Sequence, residues 1–266
     1  ETDGGVAVAT GQSAGVVDDT GLHPFTYNGQ ALPSSAPPSY SGDVAGRSIQ
    51  GDGPAALNEH SLSFSGGGDY VELGDQPLLT TLTEDDFTIE FFLKTPSRSD
   101  RGVVVGTYDG STSQMLNLEI GGLTHGPNQG HLRPFFGISS SSWDTFWGDT
   151  NISDDEWHHV ALVRSGAGTG SDLVQLYVDY KLDGQMDLHT GQYTLRPAFF
   201  RLGRDSRGSG YYYEGLLDEF RISRGALDVG DFLREVPEPG SFALLISAGV
   251  GLLLRRRQRR REHLRA

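Results

Sequence analysis

The chain contains no cysteine, and this absence narrows its chemistry. Without thiols it has no disulfides, no cysteine nucleophile and no cysteine-ligated metal. The absence does not identify the compartment, because many exported domains also lack cysteine. Glycine is frequent, at 37 of 266 residues, which favours many turns over long helices. The hydrophobic content of 36% is sufficient for a packed core, so the composition argues against global disorder.

Catalytic and phosphate-binding patterns are lacking as well. Gly-x-Ser-x-Gly occurs at residues 11–15, but without the strand–turn–helix that would expose its serine. The glycine-rich residues 166–172 lie between two predicted strands and are interpreted as a hairpin loop. His158 and His159 are adjacent on a predicted strand, so their rings point to opposite faces, and the other histidines show no ligand spacing.

The formal net charge of −14 is unevenly distributed. Residues 255–266 contain seven arginines and one acid, Glu262. The remaining residues 1–254 carry 14 basic against 34 acidic side chains, a net charge of −20. Such a body repels nucleic acid and attracts cations, so we expect no nucleic-acid partner.

Residues 242–254 form an uncharged run of 13 residues directly before the arginines. A helix of this length spans about 20 Å, whereas the hydrocarbon core of a bilayer is roughly 30 Å thick. Inclusion of Gly240 and Ser241, with snorkelling arginine side chains, favours a helix in the inner membrane. The positive-inside rule then leaves the arginines in the cytoplasm. The alternative is a core helix followed by a basic arm.

Pro237, Glu238 and Pro239, followed by the apolar run and the arginine cluster, resemble the PEP-CTERM sorting signal. The resemblance implies that an exosortase-type enzyme recognises this motif and cleaves nearby. It also implies a protein that is exported, held at the inner membrane before processing, and later found at the cell surface or outside the cell. The chain begins at Glu1 without a charged or apolar signal, so we expect the export signal to lie outside this numbering.

The body of the chain is predicted to be a succession of strands. Residues 87–95 alternate, with Phe87, Ile89, Phe91 and Leu93 on one face. Short strands with turns between them are typical of an antiparallel sandwich or barrel. A helical turn is predicted only at residues 226–233, with Asp228 as a candidate cap. The other predicted strands cover residues 61–64, 69–73, 102–108, 115–120, 132–138, 157–164, 173–184, 198–204 and 215–223.

Six segments in this order resemble the laminin-G-like (LamG-like) jelly roll of the concanavalin A-like lectin/glucanase superfamily. The segments are SLSFSGGGDYVEL, FTIEFFLKT, WHHVALVR, LYVDYKLDG, FRLGRD and GLLDEFRISRGAL. The resemblance implies an all-β fold, a two-sheet antiparallel jelly-roll sandwich, to which the tail adds a C-terminal hydrophobic helix. Tyr180 replaces the usual glycine of the family's turn, which leaves the turn type open. We divide the chain into a flexible leader (1–20), the LamG-like domain (21–235) and the sorting segment (236–266).

The resemblance also implies a structural Ca²⁺, which calcium-bearing members hold with acids at the positions of Asp69 and Asp218. Ca²⁺ takes six to eight oxygen ligands, and the glycines before Asp69 allow backbone carbonyls to point inward. The alternative is that both residues are ordinary turn or capping aspartates.

Some relatives hydrolyse β-glucans with three acids at alternate positions on one strand. Glu214 and Asp218 share a face of their predicted strand, but Glu219 does not. Because this spacing fails, we expect a protein without enzymatic activity.

Two aromatic clusters are candidate ligand-binding sites, because Trp and Tyr rings suit sugar faces and wet interfaces. The sequence therefore predicts an exported surface or matrix protein that recognises glycan or a matrix component. The alternatives are a structural exopolysaccharide-matrix protein without a defined ligand, in which the rings are ordinary sheet packing, and, less favoured, a glycoside hydrolase. The candidate residues are Trp143, Trp147, Tyr211 and Tyr213.

Overall fold

A computed structural model describes residues 38–46, 48–50, 56–58, 60–73, 85–97, 100–108, 115–139, 142–189, 200–205 and 211–235. Within these ranges the chain forms sixteen strands and two short 3₁₀ helices, Leu123–Asn128 and Val229–Asp231. The strands are β1 (Ser39–Ser41), β2 (Ser48–Gln50), β3 (Ala56–Leu57), β4 (Ser61–Ser65), β5 (Val71–Leu73), β6 (Phe87–Lys94), β7 (Gly102–Gly106), β8 (Met115–Ile120), β9 (Leu132–Ser139), β10 (Ser142–Thr145), β11 (Trp157–Ser165), β12 (Leu173–Val178), β13 (Lys181–Asp187), β14 (Phe200–Leu202), β15 (Glu214–Arg224) and β16 (Arg234–Glu235).

The described strands form two large antiparallel sheets and one small one. The larger sheet has seven strands in the order β1-β4-β15-β6-β11-β12-β13. The second has six strands in the order β10-β9-β8-β7-β14-β5, and β16, β2 and β3 form a three-stranded sheet. The predicted all-β sandwich of antiparallel sheets is confirmed.

The main core lies between the two large sheets. Phe91 and Leu162 contribute from the seven-stranded sheet, and Leu118, Phe136 and Phe200 contribute from the six-stranded sheet. Each of these side chains is at most 1% exposed. Full burial of such a side chain stabilises the fold by about 1.5–3 kcal/mol. The alternation read from residues 87–95 therefore correctly identifies the inward face of β6.

The outer face of the seven-stranded sheet is covered by a second layer. On β6, Glu90 and Phe92 alternate with the inward-facing residues but are also buried. Phe92 packs with Ile49 and Leu233 in a separate apolar cluster. The segment after β15 therefore closes over this face of the sheet.

The structure of this closing segment corrects the predicted capping role of Asp228. Residues 226–233 do contain a helical turn, the 3₁₀ helix Val229–Asp231. Asp228 occupies its N-cap position, but its side chain makes no capping hydrogen bond. The turn is instead held down by Phe232, which is 2% exposed.

The hairpin between β12 and β13 explains how Tyr180 substitutes for glycine. Asp179 and Tyr180 both have positive φ, at 48° and 64°, as a two-residue type I′ turn requires. The left-handed conformation costs a non-glycine residue about 1–2 kcal/mol. The ring of Tyr180 stacks on His159 with centroids 4.6 Å apart, and the guanidinium of Arg234 lies 4.8 Å from its centroid. These contacts offset the strain.

Among the described residues, no helix is long and apolar enough to cross a membrane. Residues 1–20 and 236–266 lie outside the described residues. The predicted leader, the hydrophobic helix and the motif Pro237, Glu238 and Pro239 therefore stay predictions.

Candidate functional site: the outer face of the six-stranded sheet

The strand register places one row of residues on the outer face of the six-stranded sheet. Thr145, Phe135, Asn117, Gly106 and Arg201 are successive partners across β10, β9, β8, β7 and β14. Register partners share a face, and the chain neighbours of this row point into the core. Because strands lie about 4.8 Å apart, the row spans about 19 Å across the sheet.

A buried carboxylate lies beside this row. Glu119, on β8, is 1% exposed, although it belongs to the outer face. Its Oε2 accepts a hydrogen bond of 3.2 Å from Arg101 Nη1, and Arg133 Nη1 lies 4.0 Å away. The two guanidiniums compensate the charge of the carboxylate and cover it.

A second polar network fixes the chain that leaves β14. Asn117 Nδ2 donates to Asp205 Oδ2 at 3.1 Å, and both residues are buried. A Cβ atom on Gly106 would lie 2.8 Å from the carbonyl oxygen of Arg204 and 2.9 Å from Cβ of Asp205. Glycine at 106 therefore lets this chain cross closely above the sheet, which places Arg204 over the outer face.

Four arginines of this face pack against aromatic rings. Each such contact contributes about 0.5–1 kcal/mol at an exposed site and fixes the plane of the guanidinium. The distances from guanidinium carbon to ring centroid are 4.7 Å for Arg101 on Tyr211, 5.2 and 5.3 Å for Arg133 on Phe135 and Trp147, 5.2 and 5.1 Å for Arg201 and Arg204 on Tyr70, and 5.1 Å for Arg204 on Tyr212. We call these four arginines and five rings, together with Trp143, the arginine–aromatic face.

Three of the four predicted ligand-binding residues lie on the arginine–aromatic face. Trp143 is 53% exposed, and its ring stacks on Phe135 with centroids 6.1 Å apart. Trp147 is half-buried and packs against His125. Tyr211 is half-buried, and its hydroxyl accepts a hydrogen bond of 3.3 Å from Arg101.

Tyr213 lies in the core instead. Its side chain is 0% exposed, its ring packs on Phe64, and its hydroxyl donates to the carbonyl of Leu216 at 2.8 Å. The prediction of a ligand contact for Tyr213 is therefore corrected, because a fully buried ring cannot meet a ligand at the surface. The three consecutive tyrosines differ in environment, and Tyr213 is the inward-facing one.

The sequence reasoning missed all four arginines. A signal was present on two strands, since Arg133 alternates with the buried Leu132 and Pro134, and Arg201 lies between the buried Phe200 and Leu202. Alternation identifies an outward arginine but not the strands beside it. The contacts of Arg101, which precedes β7, with Glu119 on β8 and with Tyr211, which precedes β15, join residues distant in sequence, so they follow only from the tertiary fold.

The structure does not bring Asp69 and Asp218 together. Asp69 Oδ2 accepts the backbone N–H of Ser65 at 2.6 Å, next to one end of the β4–β15 pairing. Asp218 Oδ2, near the other end, accepts from the N–H of Ala45 at 3.0 Å and from Asn58 Nδ2 at 2.8 Å. Along the strands, Ser65, to which Asp69 is bonded, lies about 13 Å from the level of Asp218.

Two carboxylates so far apart do not fit a single calcium ion, whose ligand oxygens lie about 2.3–2.6 Å from the metal. Across the described ranges, no group of three or more His, Asp or Glu side chains could hold a metal ion. Asp69 and Asp218 instead hold neighbouring chain segments through N–H donors. Calcium binding by either aspartate alone stays a prediction.

A small pocket lies on the opposite side of the sandwich, where β16 meets the β12–β13 turn. Its volume is about 300 Å³, at the lower limit for ligand pockets. Burial raises the pKa of Tyr180 in its wall to about 12 and raises the pKa of Glu235 at its rim. The lining residues are Phe92, Trp157, His159, Asp179, Tyr180, Arg234 and Glu235.

Comparison with known proteins identifies a family for this fold. The profile of the concanavalin A-like lectin/glucanases superfamily matches residues 65–231. No curated protein matches the chain.

Solved structures with the same fold are distant in sequence. A structure of botulinum neurotoxin type C is 14% identical with a TM-score of 0.51, and the match covers 77% of this chain and 45% of that one. The binding domain of Paraclostridial Mosquitocidal Protein 1 is 13% identical with a TM-score of 0.50, covering 73% and 45%. A candidate carbohydrate-binding protein from Bacteroides ovatus is 21% identical with a TM-score of 0.44, covering 56% and 40%. The chain thus spans less than half the length of each, and the first two similarities concern the fold alone.

Proposed function

The chain belongs to the concanavalin A-like lectin/glucanase superfamily, and we propose that it is a glycan-binding module whose ligand lies across the arginine–aromatic face. The observation that carries the proposal is the exposed ring of Trp143 stacked on Phe135, beside the guanidinium of Arg133. Aromatic rings stack on the apolar faces of sugars, while a few convergent polar groups set orientation and specificity.

Each part of the face has a role in this proposal. Trp143 provides the stacking platform, because half of its surface is open to solvent. Trp147 and Tyr211 form further aromatic contacts along the same sheet. Arg133 supplies hydrogen-bond donors to ligand oxygens, and its Nε bond of 2.8 Å to Thr145 holds its side chain in place.

A distant relative of the fold agrees with the proposal. Cell entry of botulinum neurotoxin type C depends on interaction with two ganglioside molecules. Glycolipid binding by a protein of similar fold supports a glycan ligand here but does not locate it.

The proposal is tested by titration of the protein against a glycan array, followed by calorimetry with the best ligand. We expect Trp143→Ala to weaken binding roughly tenfold, which corresponds to about 1.4 kcal/mol, and to leave the fold intact because Trp143 is exposed. Leu182→Ala is the matched control, since Leu182 is 51% exposed on β13 of the other sheet. Equal affinities for the wild type and Trp143→Ala, or no binding to any glycan, would refute the proposal and favour a structural matrix protein.

We also propose that the domain acts outside the cytoplasm after processing at the Pro237-Glu238-Pro239 motif by an exosortase-type enzyme. The support is the order of the motif, the apolar run and the arginines in the sequence. Mass spectrometry of the C-terminal peptide of the mature protein tests this proposal. A secreted protein that retains its arginine-rich end would contradict it.

Calcium remains a separate proposal for Asp69 or Asp218. A structural ion would raise the melting temperature as the calcium concentration increases, since it binds the folded state. Melting curves in calcium and in a chelator measure this effect, with Asp69→Asn and Asp218→Asn as variants. Identical curves for the wild type would exclude a stabilising ion.

A further inference from the structure

We infer that the ligand of the arginine–aromatic face is an acidic polysaccharide, one that carries carboxylate or sulfate groups along its chain. This inference rests on the proposed function and names the chemical class of its ligand. It comes from the charge, the exposure and the spacing of the four arginines.

The face is positive on a protein that is otherwise strongly acidic. The chain has a net charge of −14, yet Arg101, Arg133, Arg201 and Arg204 share this side of one sheet. Glu119 and Asp205, the two buried acids described at this face, carry two negative charges against the four positive charges of the arginines. A positive patch on an acidic body attracts anions and orients them on approach.

Arg101 and Arg133 are more accessible at this face than the buried carboxylates of Glu119 and Asp205. Glu119 and Asp205 are each 1% exposed, so a ligand does not meet their carboxylates. The side chains of Arg101 and Arg133 are 25% and 19% exposed. A charged group of a ligand on this face therefore meets these guanidiniums rather than the two buried carboxylates.

The packing of these guanidiniums suits oxyanions. Each guanidinium packs against at least one aromatic ring, at 4.7–5.3 Å from guanidinium carbon to ring centroid, and this contact restricts its orientation. The edges of a fixed guanidinium carry N–H groups in a fork that matches carboxylate geometry, and such charge-assisted bonds are stronger than bonds to neutral hydroxyls. Preorganisation of this kind lowers the entropic cost of binding.

The spacing favours a polymer over a single small anion. Arg101 and Arg133 group around Glu119, whereas Arg201 and Arg204 group around Tyr70. Between Arg133 on β9 and Arg201 on β14 there are three strand spacings, or about 14 Å. A chain with repeated charges can bridge the two groups, and the exposed Trp143 at the β10 end offers a stacking surface for a sugar ring.

The test compares polymers that differ only in charge. Calorimetry of the full chain uses polygalacturonate, its carboxyl-reduced neutral form, a sulfated dextran and unmodified dextran. We expect at least one acidic polymer to bind tenfold or more tightly than its neutral counterpart, and this preference to decline with added salt. Tighter binding of polygalacturonate would identify carboxylate as the recognised group, and tighter binding of sulfated dextran would identify sulfate.

Variants link the preference to the face. The double variant Arg201→Gln and Arg204→Gln should lose most of the preference, whereas Arg224→Gln should keep it. Arg224 is the matched control, because it is an exposed arginine at the end of β15 in the other sheet. Circular dichroism verifies that each variant is folded, and a double variant that retains the full preference would overturn the inference.

The remaining outcomes separate this inference from the proposed function. Equal affinity for the acidic and neutral forms would overturn the inference and leave glycan binding standing. Failure of every glycan to bind would overturn both. Single-stranded DNA serves as a charged polymer without this sugar chemistry, and binding of DNA as tight as that of the acidic polysaccharide would also overturn the inference.

Discussion

Each outer face of the sandwich has a buried glutamate paired with arginine, but one face is open to solvent and the other is covered. On the six-stranded sheet, Glu119 is buried beneath Arg101 and Arg133, and those arginines form the accessible surface. On the seven-stranded sheet, Glu90 is buried with Arg221 and lies beneath the segment that follows β15. A buried acid thus organises an open cationic surface on one side and closes the domain on the other.

The closed side is held by polar as well as apolar contacts. Glu90 is 0% exposed and accepts hydrogen bonds from Arg221 Nε at 2.7 Å and from the backbone N–H of Leu233 at 2.8 Å. His159 Nε2 lies 3.1 Å from the same carboxylate and donates to it. Because the last described strand, β16, follows Leu233 directly, this carboxylate fastens the end of the domain to the sheet.

The largest effect is expected for Glu90→Ala. Removal of one partner of a buried ion pair costs about 3–5 kcal/mol, because it leaves the other charge uncompensated. The free energy of unfolding, measured by urea denaturation, should decrease by this amount. Glu119→Ala should cost less, since Arg101 and Arg133 are partly exposed and water can solvate them. Equal losses in the two variants would break the distinction between a closed and an open face.

The next prediction compares Tyr213, in the core, with Tyr211, on the open face. Tyr213→Phe removes a buried hydroxyl that donates to Leu216, so we expect a loss of about 1 kcal/mol in unfolding free energy and no change in glycan affinity. Tyr211→Phe, on the open face, should weaken glycan binding and leave the free energy of unfolding unchanged. Urea denaturation and calorimetry on both variants measure the two quantities. A binding defect in folded Tyr213→Phe would contradict the assignment of this residue to the core.

A third prediction concerns the strained turn on the closed side. Tyr180→Ala removes the ring that stacks on His159 but keeps the positive φ, whereas Tyr180→Gly also relieves the strain. The glycine variant should therefore be more stable than the alanine variant by about 1 kcal/mol. Thermal denaturation of the pair provides the measurement. Equal melting temperatures would indicate that the turn is not strained.

The smallest effect is pH-dependent. A hydrogen bond to Asp179, opposed in part by burial and supported by a hydrogen bond to Asp154, raises the pKa of His158. Protonated His158 therefore stabilises the fold fully below its unfolded pKa of about 6.5, and this contribution is lost as the pH rises through the raised folded pKa. Both aspartates are about half exposed, so solvent screening limits the effect to about 1 kcal/mol or less.

His158→Asn tests this sign. The difference in melting temperature between the wild type and His158→Asn should be larger at pH 5.5 than at pH 8.5. A difference that grows towards high pH would contradict the interpretation.

The long strands of the two large sheets were predictable from the sequence, whereas the short strands β1, β2, β3, β10 and β16 and the composition of the binding face were not. Alternation identified β6, and the order of short strands indicated a two-sheet sandwich. The strand β10 was not predicted, although its Trp143 was a predicted ligand contact. It is the pairing of β10 with β9 that brings Trp143 against Phe135.

Two further outcomes, for the tyrosines and for the aspartates, share a physical cause. Tyr211 and Tyr213 are identical in type and two residues apart, and only packing determines that one is half-buried and the other is in the core. Asp69 and Asp218 are acids in suitable local sequence, but their separation depends on the β4–β15 register. Local pattern specifies which side of a strand a residue occupies, and it does not specify what lies opposite.

The most direct test of the central claim is hydroxyl-radical footprinting of the full chain with and without its bound polysaccharide. If the ligand occupies the arginine–aromatic face, the oxidation of Trp143, which is 53% exposed in the free protein, should decrease strongly on binding. Oxidation of Trp157 and Leu182, on the seven-stranded sheet, should not change. Protection of Trp157 with unchanged oxidation of Trp143 would place the ligand on the opposite side and contradict the account.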